Sequence, residues 1–454
     1  MKTLNSLLIT LQANVVTPVP KDLPLPLPLP EWLLVIILVV SFLAHILFVN
    51  LMLGGTLLTI WSQIKGLKDK KYDLLAKEIA RTITVNKSMA VVLGVAPLLS
   101  INVLYTLYFY SANSLTGLVW IAVIPLVTIA FLLTYVHKYT WKTFEKNKAV
   151  HLSIIGLATA ILLFIPFIFL TNINLMMFPE KWGAVKGFLS AMKLPNVFPR
   201  YFHFLFASLA VTGLFLFWYM GRKNYEFDKL LPGFTRYDIQ KKGYSLALIA
   251  SICQMLIGPI VLFTLPSKGI GWNLILVIFT GVATAIPAMW MMWKGLQGDK
   301  EDIGKNFYKV VALMSVTVIF MGSGRQIYRA NALAPHQKLV KLRTEEFEKI
   351  KKEAVAKSKK QEAAENSVDL SLADKGKKVF NQNCASCHKP KDPLIGPPVT
   401  EMALIYKDNR GDLIKWIKAP GKKRPNLPQM PGFPQISDDD MNNLTEYILT
   451  INQS

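Results

Sequence analysis

Eight stretches of this chain are long and apolar enough to cross roughly 30 Å of hydrocarbon, and that repetition restricts the fold more than any other feature. They run over about 32–62, 87–111, 116–138, 151–173, 202–220, 245–265, 270–293 and 307–324. Backbone polar groups in lipid must be paired within their own segment, so these runs predict helices. The expected fold class is all-α: a polytopic transmembrane bundle of about eight spans with a separate module after the last one. Composition agrees, with 52% of residues hydrophobic and 18% charged, against about 45–50% and 25% in soluble domains.

The formal charge of +22 raises the question of a nucleic-acid partner, and its placement excludes one. Residues 369–454 hold 12 basic and 10 acidic groups, so nearly all the excess lies between and just after the apolar runs. Connections after spans one, three, five and seven carry 21 Lys and Arg; those after spans two, four and six carry 5. Basic residues are retained on the cytoplasmic side, so the N-terminus is expected outside, and an even number of spans puts the C-terminus outside as well. Residues 1–31 form a Pro-rich external segment ending in PVPKDLPLPLPLP, which cannot be helical. The apolar stretch Leu7 to Leu11 is short for a signal peptide and leaves cleavage open.

The transmembrane part is expected over 32–330, followed by a charged helical linker over 331–368 and a C-terminal domain over 369–454. The linker is rich in Lys, Glu and Ala with no Gly or Pro after Pro335, which suits a solvated helix or a tether equally.

The strongest chemical signal is Cys384-Ala385-Ser386-Cys387-His388. Two thiols three apart with an adjacent imidazole are what covalent haem attachment needs: each Cys bonds a vinyl group, and His388 is the proximal iron ligand. A zinc site would need a second ligand pair, and none lies nearby. Around this motif the segment resembles a class I cytochrome c. Ala373, Gly376 and Phe380 stand in the AxxGxxxF pattern, and Ile395-Gly396-Pro397-Pro398 resembles the loop that supports the proximal histidine. Met430, in LPQMPGFPQIS, matches the distal methionine loop. The resemblance implies one haem c with His388 and Met430 as metal ligands, a six-coordinate carrier of electrons.

Two histidines lie within or at the edge of apolar runs, His45 in span one and His203 at the outer start of span five. Ionisable groups are costly in lipid, so each is a functional candidate, although spacing alone suits haem ligands and satisfied polar residues alike. His137 and His151 flank a basic connection and read as solvated interface residues. Cys253 reads as a small buried residue, and Trp32, Trp61, Tyr139, Trp141 and Trp182 as interface anchors.

HILFVNLMLGG from His45 resembles the start of subunit I of the cytochrome bd quinol oxidases. Phe202 to Arg222 is similar to that family's fifth span, GVAPL at 94–98 to its second, and Gly324-Arg325-Gln326 to its GRQ motif. The resemblance implies His203 and His45 as ligands of one or two haem b groups, with Arg325 beside a propionate; Met321 is then a candidate second axial ligand or a packing residue. It also implies a bacterial-type inner membrane, multi-pass, with both termini on the periplasmic side. The departures bear on function. No Asp or Glu lies within any apolar run, Met321-Gly322-Ser323 replaces the family's glutamate before GRQ, and the quinol loop is reduced to about PSKGIG. The expected function is a membrane c/b-type cytochrome exchanging electrons with an external redox partner. A divergent reductase of oxygen or nitric oxide, or a quinol dehydrogenase module, is the alternative, so whether the chain is an enzyme stays open. Contact with membrane lipid is implied throughout, and a second membrane subunit is left open.

Overall fold

A computed structural model describes residues 26–367, 371–423, 425 and 428–453, with the side chains of 83–87, 361–367 and 453 outside the description. The Pro-rich segment therefore lies outside the described residues up to position 25. The chain divides into two compact units, one running to Thr344 and the second Glu345–Ser454. Among the described residues there are helices and turns and no strands, and seven helices are long and apolar enough to cross a membrane, or eight if one bent pair counts as a span.

In the first unit the long helices are α1 (Glu31–Gly66), α2 (Lys70–Leu104), α3 (Thr106–Thr116), α4 (Leu118–Ile121) continuing into α5 (Val123–Tyr139), and α6 (Lys148–Met176). They are followed by the short α7 (Phe188–Ala191), then α8 (Val197–Gly221), α9 (Arg236–Phe263), α10 (Trp272–Gln297) and α11 (Phe307–Ser367), whose later turns belong to the second unit. The second apolar run departs from the single span expected of it. It breaks at Tyr105, and α3 leaves α2 at 110°. Tertiary contacts converge on the break: the Tyr105 hydroxyl accepts a 2.8 Å hydrogen bond from Gln326, and the Arg329 guanidinium lies 5.4 Å from its ring.

In lipid, helices are drawn together by close backbone approach at small residues rather than by apolar burial. α8 shows this on both sides. A Cβ on Gly213 would come within 2.5 Å of the Gly243 carbonyl on α9, and a Cβ on Gly54 of α1 would meet the Ser208 backbone. Ser208 also donates to Asn50 of α1 at 2.9 Å, which satisfies two polar groups at the same crossing. The outer start of α8 is fixed by Asn196, which adopts φ 74° and donates to the Val261 carbonyl and the Thr264 hydroxyl. α9 starts at a capping box between Thr235 and Asp238.

At the opposite ends of the helices, His137 and His151 correct the solvated reading: they are 0% and 3% exposed. Their rings stack at 4.0 Å, and the Gln63 amide bridges them, its Oε1 at 3.0 Å from His137 Nε2 and its Nε2 at 2.7 Å from His151 Nδ1. An amide supplies both a donor and an acceptor, so it lets two neutral imidazoles be buried together. Trp182 also departs from expectation, since it is buried with its indole N–H on the Leu175 carbonyl. Cys253 is half-buried rather than enclosed.

In the second unit, α12 (Leu372–Asn383) and α15 (Asp438–Thr450) start at Ser371 and Ser437, whose hydroxyls accept from the third backbone N–H onward. They cross at Gly376, where any Cβ would collide with the Asn443 carbonyl. α13 (Val399–Ile405) and α14 (Arg410–Lys418) complete a core of Val379, Phe380, Leu413, Ile417, Leu444 and Ile448.

Candidate haem sites

In the C-terminal unit the chain folds tightly at the end of α12, where the N–H groups of Cys387 and His388 both reach the Cys384 carbonyl at 3.0 Å. This turn places both thiols and the imidazole in one short segment. His388 is buried, and its Nδ1–H donates to the Pro397 carbonyl at 2.7 Å. A carbonyl partner fixes the proton on Nδ1 and leaves the Nε2 lone pair for a metal. Gly396 lies against the same ring so closely that a Cβ would collide with it, and its N–H is tied to the Cys387 carbonyl at 2.9 Å. Burial, and then the neighbouring Cys387, pushes the Cys384 thiol up to about 11. The half-buried Met430 lies in a loop braced on the end of α14 by Phe433 N–H to the Ile417 carbonyl and by Gln429 to the Pro420 carbonyl.

In the membrane unit, His45 repeats the arrangement at His388. Its Nδ1 lies 2.8 Å from the Ala90 carbonyl on α2, so the ring donates there and keeps Nε2 free. Gly94, one turn further along α2, lies on the ring: a Cβ at that position would stand 2.8 Å from Cε1 and 3.1 Å from Nδ1. A carbonyl on Nδ1 and a glycine against the ring orient both histidines as axial ligands are oriented.

His203 stands one turn after Arg200 on α8, half-buried and within its electrostatic reach. Arg200 in turn feels Arg325 and Arg329 of α11, so three guanidiniums gather at one end of the bundle. Arg325 lies 4.6 Å over the ring of Phe42, one turn before His45, so the arginine group also borders α1. Arg329 donates to Gln326 at 2.8 Å. Among the described residues none of the three has a carboxylate partner, and Arg200 Nη1, Arg325 Nε and Arg329 Nε are buried without an acceptor. Neighbouring like charges with buried, unused donors call for anionic acceptors. The two propionates of a haem are such acceptors, so the residues fit the group. Met321, by contrast, packs on Gly281 of α10.

Arg200 and Arg329 were not legible as site residues in the sequence. The available signal was their spacing, three before His203 and four after Arg325, which sets each on the face of its neighbour.

Residues 373–452 match the cytochrome c family. The membrane unit has the fold of a solved chain of bd oxidase from Geobacillus thermodenitrificans, with a TM-score of 0.52, 14% identity, and coverage of 66% of this chain and 87% of that one. No curated protein sequence matches the chain. The chain thus joins a bd-oxidase-like helical membrane unit to a cytochrome c domain. Its C-terminal domain is a carrier of covalently bound haem c, and its apolar helices make it a multi-pass membrane protein in contact with lipid.

Proposed function

We propose that the chain is a membrane-anchored c/b-type cytochrome that exchanges electrons between an external partner and haem b held in the bilayer. Supplied with haem, each such site takes up and gives up one electron through its iron. The observation that carries the reading is the group of Arg200, Arg325 and Arg329, three cations without carboxylate partners among the described residues, each with a buried donor left unpaired, of which Arg200 stands one turn before His203.

Each residue then has a definite task. Cys384 and Cys387 would hold haem c by thioether bonds, with His388 and Met430 ligating its iron, and the Pro397 carbonyl orients the His388 ring. In the bundle, His203 and His45 would hold the iron of haem b, and the Ala90 carbonyl and Gly94 orient His45. The arginines would hold propionates, compensate their charge, and raise the reduction potential of the group beside them. The charge bias of the loops supports a periplasmic placement of both termini in a bacterial-type inner membrane. The bd-like fold admits reduction of oxygen as a second reading, in which His45 would be the ligand of the oxygen-binding haem. The apolar runs offer no carboxylate to deliver protons there.

Rapid mixing of the purified chain with an external reductant, followed at the c-type and b-type absorption bands, tests the proposal. Both bands respond in the unaltered chain, and His203→Ala leaves the c-type band alone or with a diminished b-type band. An undiminished b-type band in His203→Ala would overturn the assignment.

A further inference from the structure

The external connection between α6 and α8 breaks the charge rule that the others follow. It carries Lys181, Lys186 and Lys193, and Arg200 follows in the first turn of α8; these are four of the five basic residues counted on the outer side. Arg200 belongs to the haem cradle, and the single acid in the connection, Glu180, is paired with Lys268 at 2.8 Å. Lys181, Lys186 and Lys193 have no carboxylate partner among the described residues. Retaining basic groups on this side works against the usual orientation signal, which asks for a local reason.

A groove at this place supplies one. It is an open trough of about 640 Å³ between α4, α6 and α7, lined by Val119, Phe164, Phe167, Phe188, Leu189 and Met192 together with Lys186. Phe188 stands edge-on to Phe164 and Phe167 at 5.9 and 6.0 Å, so the aromatic wall is set by mutual packing. Leu189 is 71% exposed, and the volume lies within the roughly 300–1,000 Å³ of ordinary ligand sites. The Lys186 side chain is exposed, and its backbone N–H is held by Ser190 at 2.7 Å. An apolar aromatic trough with one unpaired cation in its lining matches the polarity of an acyl chain joined to a phosphate.

We infer that this groove is a binding site for an anionic phospholipid of the outer leaflet, with its acyl chain along Phe164, Phe167 and Phe188 and its phosphate on Lys186. Lys181 and Lys193 strengthen the local attraction for negative headgroups. A neutral isoprenoid would fill the trough without using the lysine, and a zwitterionic lipid would gain less from it.

The full chain, exchanged into nanodiscs of equimolar phosphatidylglycerol and phosphatidylcholine and released for native mass spectrometry, tests the inference. One retained phosphatidylglycerol is expected. Lys186→Ala should reduce its occupancy about fivefold, the equivalent of roughly one lysine at a membrane surface. Leu189→Trp should displace it by filling the trough, and Lys229→Ala, on a different connection, should leave it unchanged. Equal retention of the two lipids, a quinone as the retained molecule, no retained lipid, or occupancy indifferent to Lys186→Ala would each overturn it.

Discussion

Replacing Gly94 by Val tests whether His45 is held as a ligand or merely packed. The new Cβ would stand 2.8 Å from His45 Cε1 and 3.1 Å from Nδ1, closer than carbon and nitrogen can pack, and valine adds two further methyl groups. The ring must then turn, and its 2.8 Å bond to the Ala90 carbonyl is lost. Losing such a bond costs about 0.5–1.5 kcal/mol, and overpacking a helix contact about 1–3 kcal/mol. Together they weaken haem retention at His45 by about 2–4 kcal/mol, or roughly 30- to 1,000-fold. The assay is the ratio of acid-extractable haem b to covalent haem c in the purified protein, with Gly156→Val as control, since nothing lies within 4 Å of a Cβ there. Gly94→Val should lower that ratio while the control preserves it. An unchanged ratio and an unchanged b-type spectrum in Gly94→Val would show that His45 holds no haem.

Arg325→Gln removes one unpaired cation beside the proposed propionates, which should lower the b-type reduction potential by on the order of tens of millivolts and leave the c-type potential in place; redox titration reads both. Gly376→Val forces a side chain into the Asn443 carbonyl and should cost about 1–3 kcal/mol, a fall in melting temperature of about 4–8 °C per kcal/mol for a domain of this size. Burial alone would raise the Glu180 carboxyl, but His336 at 3.7 Å and the hydrogen-bonded Lys268 at 2.8 Å outweigh it and hold the group down at about 2. Its folded value lies below the ordinary 4.5, so its stabilising contribution is complete above pH 4.5 and is lost as pH falls toward 2. Lys268→Met should therefore be less stable than the unaltered chain near neutrality, with the difference shrinking in acid; a difference independent of pH in thermal unfolding would refute the pairing.

The spans were legible because hydrocarbon thickness sets a minimum length of apolar helix, and the haem c motif because covalent attachment fixes its spacing. What stayed hidden depends on contacts between distant residues. The residue at the bend, Tyr105, meets Gln326 and Arg329, more than two hundred positions away, and no local pattern announces those contacts. His137 and His151 looked like solvated loop neighbours because their partner, Gln63, lies far back in the chain, near the end of α1. Arg325 could be singled out through its motif, whereas Arg200 and Arg329 carry meaning only once α8 and α11 bring them to the same end of the bundle. The likeness of His45 to His388 is likewise a matter of geometry: each has a carbonyl on Nδ1 and a glycine on its ring, and neither feature can be read from the histidine itself.

The central claim, that the bundle holds haem in addition to the covalent haem of the C-terminal domain, is tested most directly by acid-acetone extraction of the purified protein with reduced-minus-oxidised spectra before and after carbon monoxide. The account predicts an extractable haem b, a haem c that stays with the polypeptide, and spectra unchanged by carbon monoxide. A carbon monoxide shift in the extractable fraction would move the protein to the oxygen-reducing reading, and no extractable haem at all would contradict the account.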